Sequence, residues 1–154
     1  VEQADVLLEK IRVERHRKWK NKQYRNGKDP QKVNYKEAKI IIVENLPDIP
    51  NTWTWGSIEE LGRVQLGRQR SPKNHSGPYM RPYLRAANVF EDRISTSDIL
   101  EMNFNPSEYE TFKLEPGDIL LNEGQSKELV GRPAIYRGEV PGSCFQNTLV
   151  RFQA

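Results

Sequence analysis

The chain is poor in the residues that build covalent or metal-held frameworks. Its 154 residues include one cysteine, Cys144, and two histidines, His16 and His75. One thiol excludes an internal disulfide framework and any cysteine-rich zinc site. The histidines stand far apart, with no Cys or carboxylate at ligand spacing. Cys144, between Ser143 and Phe145, reads as a small buried hydrophobe. No apolar run approaches the ~20 residues that span a bilayer, and the N-terminus lacks the apolar core of a signal peptide. The expectation is a soluble cytoplasmic protein.

Enzyme signatures are missing as well. There is no P-loop, no dinucleotide-type glycine fingerprint and no nucleophile elbow. Asn105-Pro106 begins like an amino-methyltransferase motif but continues Ser107-Glu108, where a second proline and an aromatic are needed. Asp118 and Glu123 are placed like the paired carboxylates of a metal-dependent nuclease. The lysine expected two residues after the Glu is replaced by Gln125, and a metal would need carboxylates from elsewhere in the fold. Metal: none, and catalytic residues: none, is the reading.

Acid is missing from one long stretch. Between Leu61 and Phe90 there is no Asp or Glu, and within it Gly67 to Val89, GRQRSPKNHSGPYMRPYLRAANV, carries five Arg or Lys, three Pro and two Tyr. A basic, aromatic, proline-stiffened loop suits a polyanion, nucleic acid first, although an ordinary solvated loop has the same composition. The net charge of +3 hides a second asymmetry: from Lys10 to Lys39 there are twelve Lys or Arg against three acids. The basic character belongs to an N-terminal arm.

In chain order, Val6, Leu7, Leu8, Ile11 and Trp19 form an apolar stripe at helical spacing, suited to docking on a partner helix. Glu9–Arg12 and Glu14–Lys18 pairs are expected on the exposed side. Asn26-Gly27 stops this helix and Asp29-Pro30 prevents its resumption. Residues 1–26 are thus read as a helix and 27–50 as a basic linker, ending in the proline-bracketed LPDIP. Ile40 to Val43 suit a short strand. Residues 51–154 form the body. Trp53 and Trp55 alternate as strand residues that cap a core from one face. Ser57 and Glu60 make a capping box, with Gly62 closing a short helix. Tyr83 to Val89 read as a strand, Asn105 to Lys113 as a capped helix, and Glu115-Pro116-Gly117-Asp118 as a type II turn. Strands follow at 119–121, 133–136 and 144–152. The fold class is α+β: an N-terminal helix and linker before a mainly β, twisted or barrel-like body.

The binding candidates fall in three groups. Arg68, Arg70, Ser71, Lys73 and Asn74 lie on the basic loop, where arginine can grip a phosphate or a guanine edge through two parallel hydrogen bonds. Arg85 and Asn88 follow, able to read base edges or hold phosphates. Asn88 pairs well with adenine but serves equally as a turn-former. Gln125, Ser126 and Lys127 form a second polar loop, and Arg132, Gln146, Asn147 and Arg151 a third cluster.

The runs LPDIPNTWTW, GRQRSP, PYLRAANV, PGDILLNEGQS, ELVGRPAIY and CFQNTLVRF, in this order and spacing, resemble the target recognition domain of the specificity subunit of type I restriction-modification systems. ADVLLEKIRVERHRKW is similar to the end of the conserved helix that precedes such a domain. The resemblance implies a non-catalytic DNA-binding subunit in which each recognition domain reads one half of a split duplex target. It implies that the helix, through Leu7, Leu8, Ile11 and Trp19, docks a methyltransferase subunit, which a restriction subunit joins. Cofactors of this chain: none; S-adenosylmethionine, ATP and Mg belong to the partners, as do adenine methylation and cleavage. The alternatives are an interaction fragment that docks on a methyltransferase subunit without DNA specificity, and a small metal-dependent nuclease. Because the family's domain continues past the position of Ala154, a truncated or split gene product, or a cloned piece, is expected, with an open sheet edge and uncovered core around Leu149, Val150 and Phe152. Residues shared across the family (Gly67, Arg68, Ser71, Pro72, Tyr83, Arg85, Asn88) are expected to position the domain. Specificity is expected between them, at Gln69, Lys73, Asn74 and His75.

Overall fold

The computed structural model describes residues 2–39, 41–124 and 126–154. It is a mixed helix and sheet structure, consistent with α+β, and no closed barrel forms among the described residues. The chain divides into two compact units, one ending at Gly62 and the other spanning Arg63–Ala154. The first unit therefore keeps Trp53, Trp55 and the capping box, which lie beyond the Pro47–Pro50 spacer.

In the first unit, helix α1 spans Ala4–Arg25 and ends where Asn26-Gly27 directs, with Gly27 at φ 68°. Asp29 then caps a 3-10 turn, Pro30–Lys32, by accepting from the Gln31 N–H at 3.0 Å. Of the apolar stripe, Leu8 is buried, beside Gly56 and Leu61 of the same unit, whereas Leu7 is 49% exposed. Helix α2, Ile58–Leu61, carries both bonds of the capping box: the Glu60 N–H donates to Ser57 Oγ at 3.2 Å, and the Ser57 N–H to Glu60 Oε2 at 2.7 Å. Buried Glu60 also receives the Arg12 guanidinium, its Nε at 2.9 Å. The Ser57 N–H and Arg12 together hold the Glu60 carboxyl below its ordinary value.

Three expectations for this unit are corrected. Glu14 pairs with Arg17, at 2.7 Å, rather than Lys18, because the three-residue spacing brings a guanidinium fork onto both carboxylate oxygens. Residues 41–42 form no strand and Val43–Asn45 make a 3-10 turn; Ile40 lies outside the described residues. Trp53 is 67% exposed and Trp55 sits in coil, its Nε1 donating to the Pro47 carbonyl at 3.3 Å. Among the described residues no strand neighbours these segments, so the strand preference of the β-branched and alternating aromatic residues is not expressed.

Among the described residues the second unit is built on three small sheets. The largest, in the order β1-β9-β6-β7, contains β1 (Arg63–Leu66), β9 (Leu149–Gln153), β6 (Ile119–Asn122) and β7 (Pro133–Ile135), all antiparallel. A second places β2 (Met80–Leu84) between β5 (Leu100–Asn103) and β8 (Cys144–Phe145); β8 runs parallel to β2. β3 (Val89–Phe90) and β4 (Arg93–Ile94) form a ribbon. Helix α3, Pro106–Phe112, has its full capping box: Asn105 Oδ1 accepts from Glu108 N at 2.9 Å, and Glu108 Oε2 from Asn105 N at 3.0 Å. The type II turn forms as its residues dictate, with Gly117 at φ 99° and the Asp118 N–H donating to Glu115 O at 3.0 Å.

Two strand expectations change. Tyr83 to Val89 contains the end of β2, a 3-10 turn at Ala86–Asn88 and the start of β3. Cys144 to Phe152 is broken at 146–148, so it supplies β8 to one sheet and β9 to another. The expectation of an open edge on the last strand is also corrected: β9 is paired on both sides, by β1 and β6. Leu149 is buried in the core with Leu84, Val89, Leu120, Tyr136 and Phe145. Val150 and Phe152 point to the sheet's other face. There the register sets Val64, Phe152, Ile119 and Ile135 in one row and Leu66, Val150, Leu121 and Pro133 in the next. Val64, Leu66 and Ile135 on this apolar face are exposed. The Cys144 thiol is buried, and burial pushes its pKa up to about 12, which keeps it an inert core group.

Candidate nucleic-acid interface

The basic segment is fastened at its base. Gly67 lies against the 145–149 strand connection, donating its N–H to Leu149 O at 3.1 Å. A Cβ at this position would stand 2.2 Å from the Gln146 carbonyl oxygen, so only glycine fits. Arg68 forms a bridge with Gln146: its N–H donates to Phe145 O at 3.0 Å and its carbonyl accepts from Asn147 N at 3.0 Å. The Arg68 side chain, 11% exposed, then turns inward. Its Nε and Nη2 donate to Glu108 Oε1 at 3.0 and 2.7 Å, its Nη1 to Asn103 O at 2.7 Å, and its guanidinium lies 4.9 Å from the Phe104 ring centroid. Asn74, partly buried, faces the same guanidinium; with its amide oxygen turned inward it accepts from Nη1 and Nη2 at 3.3 and 3.1 Å.

Between these anchors the loop crosses open solvent. Ser71 accepts from Asn74 N through its carbonyl at 2.9 Å, closing a 3-10 turn at Pro72–Asn74. Gln69, Arg70, Lys73 and His75 are exposed around it. Arg70 Nε approaches His75 Nε2 at 3.2 Å, so the two side chains hold each other at the tip. Arg81 is exposed on β2 with its guanidinium 4.6 Å from the Tyr109 ring centroid. Among the described residues no carboxylate pairs with Arg70, Lys73 or Arg81, whereas Arg68 and Arg85 are both paired.

Several sequence-predicted contacts are placed elsewhere. Asn88 is 1% exposed: its Oδ1 accepts from the Arg85 N–H at 3.1 Å and its Nδ2 donates to the Ser95 and Asp98 carbonyls at 3.3 and 3.0 Å. It is the turn-former of the two alternatives, with no polar atom left for an adenine. Arg85 pairs with Asp98. Arg132, half-buried, donates to the Val89 carbonyl at 2.9 Å and lies 4.9 Å from the Phe90 ring, which Arg93 approaches at 4.7 Å. Asn147 is tied by its backbone to Arg68, and Gln146 by its backbone to Leu84. Ser126 and Lys127 are exposed at the start of a turn in which the Ser126 carbonyl accepts from Leu129 N and Val130 N; Gln125 lies outside the described residues. Arg151 is buried in an internal network.

Asp118 is likewise committed. Its Oδ1 accepts from Gln153 Nε2 at 2.8 Å, and its Oδ2 from Glu115 N at 3.0 Å and Arg151 Nη1 at 3.4 Å. Three acceptor sites of this buried carboxylate are thus taken within the fold. Sequence reasoning missed the acids that occupy the arginines, Glu108 and Asp98, and the exposed Arg81. The helix-cap pattern did locate Glu108, but its capping role hides the second bond to Arg68.

No known family model and no curated protein matches the chain.

Proposed function

We propose that this chain acts as the specificity component of a type I restriction-modification complex, binding double-stranded DNA and directing methyltransferase and restriction subunits to a split target. In this reading residues 51–154 carry part of a target recognition domain, and the chemistry, with S-adenosylmethionine, ATP and Mg, resides in the partners. One observation supports it most: the basic segment separates into a fastened framework and an exposed tip. Of the framework residues, Gly67, Arg68, Tyr83, Arg85 and Asn88 are buried or ion-paired, Ser71 is half-buried and Pro72 is exposed, while Gln69, Arg70, Lys73 and His75 meet solvent. A reading loop needs this division, because base contacts require free donors held at fixed positions. Asn74, facing Arg68, belongs with the framework.

Selection from a random duplex pool should enrich one half-site. Against it, Arg70→Ala or Lys73→Ala should cost about 1–3 kcal/mol if the residue reads a base. A phosphate contact would instead weaken all duplexes alike and flatten the salt slope by about one. A pool that stays random, or binding indifferent to both substitutions, defeats the proposal.

The partner-docking role narrows to the exposed side of α1, where Val6, Leu7 and Val13 are solvent-facing, since Leu8 packs inside its own unit. Leu7→Asp should release a co-expressed methyltransferase subunit without loss of helical circular dichroism. Retention of the subunit by this variant would remove α1 as the dock.

A further inference from the structure

The N-terminal unit contains a feature that duplex reading by the basic loop leaves unused. Past Gly27 the chain returns along α1, and the 30–35 segment closes a cavity of about 200 Å³ against the helix. Half of its lining is aromatic, with Pro30, Gln31 and Val33 among the rest: His16 and Tyr35 stack on each other with centroids 4.5 Å apart, and Trp19 meets Tyr35 at 5.0 Å and 58°. Tyr24, 64% exposed, and Lys20 also line the cavity, which has no carboxylate among its lining residues. Trp19, expected on a partner-docking stripe, is thus occupied within its own unit.

The surroundings are cationic. Twelve Lys or Arg lie between Lys10 and Lys39; Lys10, Arg12 and Arg17 are ion-paired, and the other nine have no carboxylate partner among the described residues. The cavity is smaller than the ~300–1,000 Å³ typical of sites for drug-sized ligands. It suits one planar ring. Aromatic walls that accept a flat ring, set in a basic surface, are the two parts of a single-stranded nucleic-acid site: stacking holds the base and the cations track the backbone. A paired base has no free face to offer, so duplex is disfavoured here.

We propose that the His16–Trp19–Tyr35 cavity of the N-terminal unit binds an unpaired nucleobase of a single-stranded nucleic acid, with the lysines and arginines of residues 10–39 holding its phosphates. Shape and charge complementarity carry this, independently of the duplex-binding proposal.

The test uses the full chain and a fluorescein-labelled, mixed-sequence single-stranded DNA, read by anisotropy at two salt concentrations. In a Trp53→Phe, Trp55→Phe background, saturating DNA should quench the emission of Trp19. Tyr35→Leu, which fills space but cannot stack, should weaken binding about tenfold, while Tyr35→Phe should restore it. Circular dichroism of both variants checks that α1 persists. Should Tyr35→Leu lose helicity, Tyr24→Leu takes its place, since the exposed Tyr24 ring supports no packing. Tyr35→Leu should leave duplex binding by the basic loop unchanged, which separates the two sites. Unaltered Trp19 emission at saturation, or affinity indifferent to Tyr35→Leu and Tyr24→Leu, would overturn the proposal and leave the three rings as packing alone.

Discussion

Replacing Gly67 by alanine is expected to destabilise the second unit by about 3 kcal/mol, measured as a fall in the urea midpoint at unchanged slope. The cost is steric. The added methyl would meet the Gln146 carbonyl oxygen at 2.2 Å, its carbon at 2.3 Å and Phe145 Cδ2 at 2.8 Å. Two of these atoms are backbone, and that backbone cannot retreat. Gln146 N donates to Leu84 O at 2.9 Å, Asn147 N to Arg68 O at 3.0 Å, and Leu149 N to Gln146 O at 2.9 Å. Movement of residue 146 therefore strains both the β2–β8 pairing and the bridge that fastens the basic loop. Gly131→Ala is the control, because Gly131 has φ 76° but nothing within 4 Å of a built Cβ. It should show only the left-handed backbone penalty of about 1 kcal/mol. Equal small losses in the two variants would mean that the contact at Gly67 relaxes freely and does not set the loop's base. A large loss at Gly67 alone, with duplex binding falling in parallel, is the expected pattern.

The local signals in this chain were legible and the long-range ones were not. Asn105-Pro106-Ser107-Glu108 encodes a cap within four residues, and both reciprocal bonds form. Ser57 with Glu60 and the Glu115–Asp118 turn follow the same logic. Strands depend on a partner found far along the chain, so β1, β4 and β5 passed unread, and Ile41 to Val43 and Trp53 to Trp55 kept the strand pattern without the partner. The basic loop shows the same limit in its charges. A window without Asp or Glu promises free cations, yet Arg68 meets Glu108, 40 residues away, and Arg85 meets Asp98, 13 away. Sequence composition counts charges along a line, whereas pairing depends on the fold. What survives on the loop and β2 as open positive charge, among the described residues, is Arg70, Lys73 and Arg81, two of which were among the original candidates. The expectation that specificity lies at Gln69, Lys73, Asn74 and His75 came from the family resemblance; three of these side chains are exposed, and Asn74 is half-buried against Arg68.

Arg151→Ala is expected to be more damaging still, about 3–5 kcal/mol, because it strips the partner from a buried charge. The side chains of Arg151 and Asp118 are 3% and 5% exposed. Burial pushes the Arg151 pKa down, and Asp118 draws it partly back. The ion pair itself, at 3.4 Å, is the longest of the contacts; shorter ones run from Nη1 to Lys113 O at 2.6 Å and from Nη2 to Gln65 Oε1 at 2.7 Å, with Thr111 O at 3.2 Å. The guanidinium also lies 4.9 Å from the Phe145 ring. Arg151 therefore joins the end of α3 to β1 and to the start of β6, and its carbonyl contacts, more than the salt link, define its place. Two consequences follow for substitutions. Arg151→Lys should fail to restore stability, since one ammonium cannot span acceptors on three elements. Asp118→Asn should cost less than Arg151→Ala, because an amide oxygen can still accept from Glu115 N, and the guanidinium keeps its carbonyls. Denaturant midpoints of the three variants decide the order. If Asp118→Asn proves the most harmful, the charge pair dominates and the ranking of contacts by length is wrong. The same comparison guards the nuclease alternative: lost cleavage in Asp118→Ala would report a broken core unless the variant unfolds at the wild-type midpoint, and only then would it speak for a metal-binding carboxylate.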